Sequence, residues 1–206
     1  MERRASIIKF LPLLVGMFFI GSYCLLGQNT PRVIENFTLN DEHNKPITLS
    51  QFSGSKALVV IFTSANCSWA SSYEERINQL HQDYQSRGIA FLAINSNDAT
   101  MSLRDDSRTM RTHQSFSFSY VKDSKQMVAR QLGATKNPEF FVLQPTQGKY
   151  AIVYQGKMDD NPLNVSLVRE PYLRNALDQI LSGQKVKQPR TDPQGCNIRW
   201  LETAKR

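Results

Sequence analysis

The chain reads as an α/β fold: a central mixed β-sheet flanked by helices on both faces, with an N-terminal β extension. Three observations predict it. Two runs, ALVVIF at 57–62 and IAFLAIN at 89–95, are continuously apolar and rich in β-branched residues, as strands covered on both faces are. Between them the apolar residues recur at helical spacing. The wider order is two strands, a β-α-β-α-β stretch, a helix, a hairpin and a last helix, and such alternation marks a layered α/β domain.

The elements follow in order. Residues 1–27 form a targeting segment: Arg3, Arg4 and Lys9 outweigh Glu2, and Phe10 to Leu26 carry no charge. The length lies between a signal-peptide core and a comfortable membrane span. No A-x-A cleavage site stands out, and Tyr23 is too bulky beside Cys24 for a lipoprotein cleavage site. The reading is an uncleaved cell-membrane anchor, with a cleaved signal and secretion as the alternative. In both cases the positive end stays cytoplasmic and the domain that follows is extracytoplasmic, facing the periplasm. That domain spans 28–183, and a tail carrying Cys196 spans 184–206.

Gln28 to Arg32 is a linker. Two short alternating strands within 37–52 flank a turn at Asn44, Lys45 and Pro46. After Cys67, Trp69, Tyr73, Ile77, Leu80 and Tyr84 share one helical face, and Gly88 suits a stop. The polar segment 97–114 is expected to hold a further helix, 116–121 a third strand, and 124–132 a short helix ended by Gly133. Strands at 140–144 and 150–156 form a hairpin through a turn at 146–149. The last helix starts with Pro171 as its first residue and ends before Gly183; its core face is Tyr172, Leu173, Ala176, Leu177, Ile180 and Leu181. The polar, turn-rich tail is expected to be mobile.

The chain has 206 residues, of which 40% are hydrophobic and 21% charged, enough for one packed domain plus appendages. The net charge of +7 is spread along the chain without a like-charge block or a basic-aromatic stripe. That describes a solvated basic surface and excludes nucleic acid as the expected partner. His43, His81 and His113 are far apart and show no ligand spacing, so no metal or cofactor is expected. Asp159 and Asp160 read as a turn cluster, or as the border of an active face.

Cys67 stands directly after a central strand and at the mouth of a helix. The first helical N–H groups lack partners, and they and the helix dipole stabilise an anion there. A thiolate is such an anion, and this position lowers cysteine pKa values into the range of about 3.5 to 7.5. A buried structural cysteine is the bland alternative; the strand-turn-cysteine-helix position favours a nucleophile. Cys196, in PQGCNIRW, is the other cysteine of the exported part. It resolves an oxidised Cys67, forms a static disulfide with it, or never reaches it.

The segment FTLNDEHNKPITLSQFSGSKALVVIFTSANC resembles the opening of the thioredoxin-like redoxins, in their extracytoplasmic and peroxiredoxin-like branches. With SYEERINQL, IAFLAINSND, GATKNPEFFVL, YQGKMDDN and PQGCNIRW, it resembles a bacterial peroxiredoxin-like group related to alkyl hydroperoxide reductase and thiol-specific antioxidant proteins. The resemblance implies a thioredoxin fold, with Ser64, Ala65, Asn66 and Cys67 where thioredoxins have C-x-x-C and peroxiredoxins T-x-x-C. Ser64 would then supply the hydroxyl of that threonine and help to stabilise the thiolate. Pro138 matches the cis-proline that faces the active site, so that Asn137 would offer its backbone to an extended substrate. Two departures stand out: Ser64 replaces the first thioredoxin cysteine, and Val60 stands where peroxiredoxins carry a proline.

The expected function is a thiol oxidoreductase, working by thiol–disulfide exchange or peroxide reduction, with Cys67 as nucleophile and Cys196 or an external thiol resolving it. Its partners would be thiol or disulfide proteins, or peroxide. The alternative is a non-catalytic thioredoxin-fold module that binds clients. Copper or haem-linked delivery lacks support, since one thiol without nearby His or Met is a poor metal site.

Overall fold

The structure is a computed structural model, and it describes residues 32–41 and 43–202. Residues 1–27, with the anchor and Cys24, lie outside the described residues. Among the described residues no helix is long and apolar enough to cross a membrane.

Fourteen elements can be named in chain order: β1 (Val33–Ile34), β2 (Thr38–Asp41), β3 (Pro46–Thr48), β4 (Ala57–Phe62), α1 (Ser68–Tyr84), β5 (Ile89–Asn95), α2 (Met110–His113), β6 (Ser119–Lys122), α3 (Met127–Leu132), β7 (Lys136–Asn137), β8 (Glu139–Thr146), β9 (Lys149–Gly156), α4 (Tyr172–Leu181) and β10 (Cys196–Asn197). Eight strands make one mixed sheet in the order β1-β9-β8-β4-β5-β6-β2-β3. β4, β5 and β6 run parallel, and the remaining pairings are antiparallel. The sheet is therefore the mixed α/β sheet that the alternation predicts, in the thioredoxin-like arrangement that the resemblance implies. The N-terminal strands close both of its edges, β1 beside β9 and the β2–β3 hairpin beside β6.

β4 is buried throughout and β5 at every position but Ala90, and their alternation feeds two cores. Ala57, Val59 and Ile61 of β4 pack with Tyr73, Ile77, Leu80 and Tyr84 of α1 and with Leu173, Ala176, Leu177 and Ile180 of α4. Leu58, Val60 and Phe62 face the opposite side, with Val128, Ala129 and Leu132 of α3. Cα partners run from Ala57↔Ile89 to Phe62↔Ile94, so β4 and β5 end together and deliver the loops after them to one sheet edge. β8 begins and β9 ends at that same edge.

Several expectations are corrected. Trp69 is 38% exposed; Ala70, one position on, takes the core stripe that continues through Tyr73, Ile77, Leu80 and Tyr84. The helix expected over 97–114 is two 3-10 turns, Ala99–Met101 and Leu103–Asp105, followed by the single turn α2. Asp98 and Ser102 accept from the backbone N–H of Thr100 and Arg104, and such local side-chain bonds compete with a continuous helix. The third strand begins at Ser119 because the backbone before it is engaged by side chains: Arg111 holds the carbonyls of Phe116 and Phe118, and Asn78 holds Ser115 O and Ser117 N–H. Pro171 caps α4 instead of opening it. β1 continues directly from the expected linker.

The tail is docked, not mobile. Thr191 N–H donates to Gln155 O at 3.0 Å, and the Thr191 hydroxyl lies 3.0 Å from that of Tyr154. A Cβ on Gly156 (φ 144°) would sit 2.3 Å from Thr191 O, so only glycine lets the tail come this close to β9. Val186 joins one core and Ile198 the other.

Candidate functional site

Cys67 is the N-cap of α1, with extended backbone (φ −127°, ψ 115°). β4 ends at Phe62, and a tight turn then lifts the chain into the helix. Asn66 N–H donates to the Ser64 hydroxyl at 3.1 Å, and Cys67 N–H donates to Ser64 O at 3.2 Å. Ser71 N–H reaches back to Cys67 O at 3.0 Å to start the helix. The cysteine is 2% exposed.

Cys67 forms a disulfide with Cys196, 129 residues later, with 6.0 Å between the Cα atoms. The Asn137–Pro138 peptide is cis, as the resemblance implies. Asn137 O lies 3.1 Å from Cys67 Sγ. The bonded sulfur has no proton to donate, so this is a packing contact. The structure thus brings Cys67, Cys196, Asn137 and Pro138 together.

Ser64 is nearby but turned away. Its hydroxyl donates to Asp105 Oδ1 at 2.8 Å, and it accepts from Asn97 Nδ2 at 2.8 Å. Its one proton is therefore committed to a buried carboxylate rather than to the sulfur. Asp105 is fully buried; it also accepts from Asn95 Nδ2 at 2.8 Å and Asn97 Nδ2 at 3.1 Å. Lys122 completes the network, its ammonium donating to Asn95 Oδ1 at 2.9 Å and Asn97 O at 2.6 Å. Burial lowers its pKa to about 8.

Two further residues shape the site and escaped the sequence reading. Glu139 is fully buried, and its carboxylate accepts from Thr135 N–H at 2.7 Å, Lys136 N–H at 3.1 Å and Gln155 Nε2 at 2.9 Å. It fixes the loop that leads into Pro138. Asn97 Oδ1 accepts from Asn137 Nδ2 at 3.1 Å and from Arg199 N–H at 3.0 Å, linking the network to the tail. The available signals were an acidic residue opening the apolar run FFVL and the polar SND at the carboxyl end of a buried strand, where α/β folds place ligands. Asp159, at the same sheet edge, is buried and accepts from Tyr73 OH at 3.0 Å and Arg76 at 2.8 Å. Burial raises its pKa. It anchors α1 more than it borders the sulfur. His81 packs on Phe91 and Phe118, and among the described residues no group of three His, Cys, Asp or Glu side chains could hold a metal ion.

A model of the AhpC/TSA family matches residues 30–159. The chain belongs to the AhpC/TSA family. AhpC/TSA proteins are part of the thioredoxin-like redoxins, in keeping with the sheet and with Cys67 at the helix mouth. Two solved structures are similar over 84% of this chain: a hypothetical protein of Sinorhizobium meliloti (32% identity, TM-score 0.75, 94% of that chain) and an uncharacterized conserved protein of Geobacillus kaustophilus (27%, 0.76, 93%). A peroxidoxin of Mycobacterium tuberculosis shares the fold at 13% identity (TM-score 0.53, 77% of this chain and 97% of that one). No curated protein matches the chain.

Proposed function

We propose that this AhpC/TSA-family chain is a thiol–disulfide oxidoreductase whose redox pair is Cys67 and Cys196. The Cys67–Cys196 disulfide at the mouth of α1, beside Pro138, carries the reading. The first motif cysteine is absent, and the second sulfur comes instead from the tail.

The cycle follows from exposure. Cys196 is half-buried and Cys67 buried, so an incoming thiolate attacks Cys196 Sγ. The Cys67–Cys196 bond breaks, and its electron pair leaves with Cys67. The departing thiolate sits where the N–H groups of α1 stabilise it, and a low-pKa thiol leaves faster. A second reductant thiol frees Cys196. Cys67 thiolate then attacks a client disulfide, a mixed disulfide forms, and Cys196 thiolate resolves it by restoring the Cys67–Cys196 bond. The client gains the two electrons that the reductant supplied.

Family membership favours peroxide as a second oxidant of Cys67, with the same disulfide as the product of a sulfenic acid and Cys196. The commitment of the Ser64 proton to Asp105 weighs against it. We also take residues 1–27 as a membrane anchor that leaves this domain extracytoplasmic, a reading that rests on the sequence.

The test is alkylation-trapped mass spectrometry. Dithiothreitol should free both thiols, Cys67 should alkylate faster at neutral pH, and a disulfide challenge should restore the pair faster than equimolar peroxide does. A Cys67 inert to alkylation and to both challenges would sink the enzymatic reading and leave a client-binding module.

A further inference from the structure

The tail does more than carry a sulfur. Residues 196–201 run through the site, the first two of them as β10. Cys196 pairs with Asn137, and Asn197 with Lys136. Ile198 N–H donates to Thr135 O at 3.0 Å, and Asp98 N–H to Arg199 O at 2.9 Å. Arg199 N–H donates to Asn97 Oδ1 at 3.0 Å, Gln126 Nε2 to Arg199 O at 2.7 Å, and Leu201 N–H to Gln126 Oε1 at 2.8 Å. All these bonds use the tail's backbone, so any extended chain can make them.

Among the side chains after Cys196, Ile198 is the one that enters a core, and the others make contacts nearer the surface, Asn197 Oδ1 accepting from Lys136 Nζ at 2.6 Å. Ile198 is 3% exposed and belongs to the core that holds Val128, Leu132 and Ala134. Asn197 is exposed, and Trp200 lies partly exposed under the Arg130 guanidinium. Arg199 reaches the turn before Cys67, where Asn66, with its amide oxygen facing the guanidinium, accepts from both of its terminal nitrogens at 2.9 Å. The approach of the strand is also built in: a Cβ on Gly195 (φ 153°) would stand 2.1 Å from Asn137 O.

We infer that the edge formed by Thr135–Asn137, Asn97–Asp98 and Gln126 is a docking groove for an extended cysteinyl segment of another protein, with an aliphatic residue two positions after the cysteine. The chain's own residues 196–201 are the tethered stand-in for that partner. This deepens, and rests on, the exchange reading above. When the Cys67–Cys196 bond is broken, the tail strand leaves the groove. Cys67 thiolate attacks the client's cysteinyl sulfur, the new S–S bond forms as the client's disulfide breaks, and the electron pair departs on the client's other sulfur. The client strand then occupies the bonds that the tail has left.

The test uses the full-length Cys196→Ala protein and two peptides. One is PQGCNIRWL, identical to residues 193–201, with its cysteine joined to thionitrobenzoate; the other has the isoleucine replaced by aspartate. Attack by Cys67 releases the yellow thionitrobenzoate anion, so the rate is read by absorbance. Glutathione joined to thionitrobenzoate is the reference. The native peptide is expected to react roughly 10- to 100-fold faster than the aspartate peptide, the ratio that burying one isoleucine implies. Adding Ile198→Asp to the protein should leave the native-peptide rate unchanged, because the tail without its disulfide has already left the groove; a faster reaction would overturn that release. Equal rates for both peptides, with the glutathione conjugate still reacting, overturn the groove and leave the exchange reading standing. No reaction with any of the three overturns both.

Discussion

Ile198→Ala is the substitution whose outcome the structure constrains best. Ile198 is 3% exposed in a core cluster, on a tail segment that is docked in the disulfide-bonded form. Truncating a buried isoleucine to alanine costs about 2–5 kcal/mol, and an edge segment that can relax belongs near the lower end, about 2–3 kcal/mol. If reduction releases the tail, the loss falls on the oxidised protein alone. At 1.4 kcal/mol per decade, the equilibrium constant for closing Cys67–Cys196 should then fall roughly 30- to 150-fold. Dithiothreitol titration, quenched by alkylation and read by mass spectrometry, measures that constant. Urea unfolding of both redox forms closes the cycle: the oxidised variant should lose the same 2–3 kcal/mol, about what the titration gives, and the reduced variant almost none. An unchanged constant, with equal losses in both forms, would mean that the tail stays docked without its disulfide, and the release argument would be wrong.

Three further outcomes are expected. Ser64→Ala should lower stability by about 1–3 kcal/mol, since it removes a donor to buried Asp105, yet change the alkylation rate of reduced Cys67 less than about twofold; a large rate change would put the hydroxyl back at the sulfur. Gly195→Ala places a Cβ 2.1 Å from Asn137 O at φ 153°, so free thiols should accumulate under conditions that fully oxidise the parent protein, as thiol counting would show. Lys122 gives a pH signature: burial lowers its folded pKa to about 8, from the ordinary 10.5. Between those values the unfolded chain binds more protons, so unfolding free energy should climb as pH rises through that window, while below it both states are charged and the burial penalty is full. Raised tyrosine pKa values oppose this only above about pH 10. Lys122→Met should flatten the climb in urea titrations, and equal slopes in the two proteins would refute the assignment.

Much of the frame was legible because it is written in local patterns. β4 and β5 are unbroken apolar runs, α1 shows its stripe from Tyr73 to Tyr84, and the β8–β9 turn falls at Gln147–Gly148. Cys67 could be placed because strand, turn and helix meet there. The tail could not, because much of its docking consists of backbone bonds that no side-chain pattern announces. Gly195 and a lone isoleucine between Asn197 and Arg199 were its only marks. The partners of Ser64 stayed hidden for a related reason. Its partners Asn97 and Asp105 are 33 and 41 positions away, and polar pairings at such separations have no period to read.

The position of Cys196 also sets an order of events in the life of the chain. Ribosomes deliver Cys67 first, and its partner follows 129 residues later. At about 5–20 residues per second, Cys67 waits roughly 6 to 25 seconds for that partner, and β7 follows Cys67 by 69 residues and then waits uncovered for the tail. Only in the last part of that interval, once Pro138 has been made, does the nascent chain hold the residues of its helix mouth and its proline loop without the strand that closes them. Closure of the site therefore waits for residue 196, and a ribosome that stalls short of Gly195 leaves Cys67 with no tail to seal it.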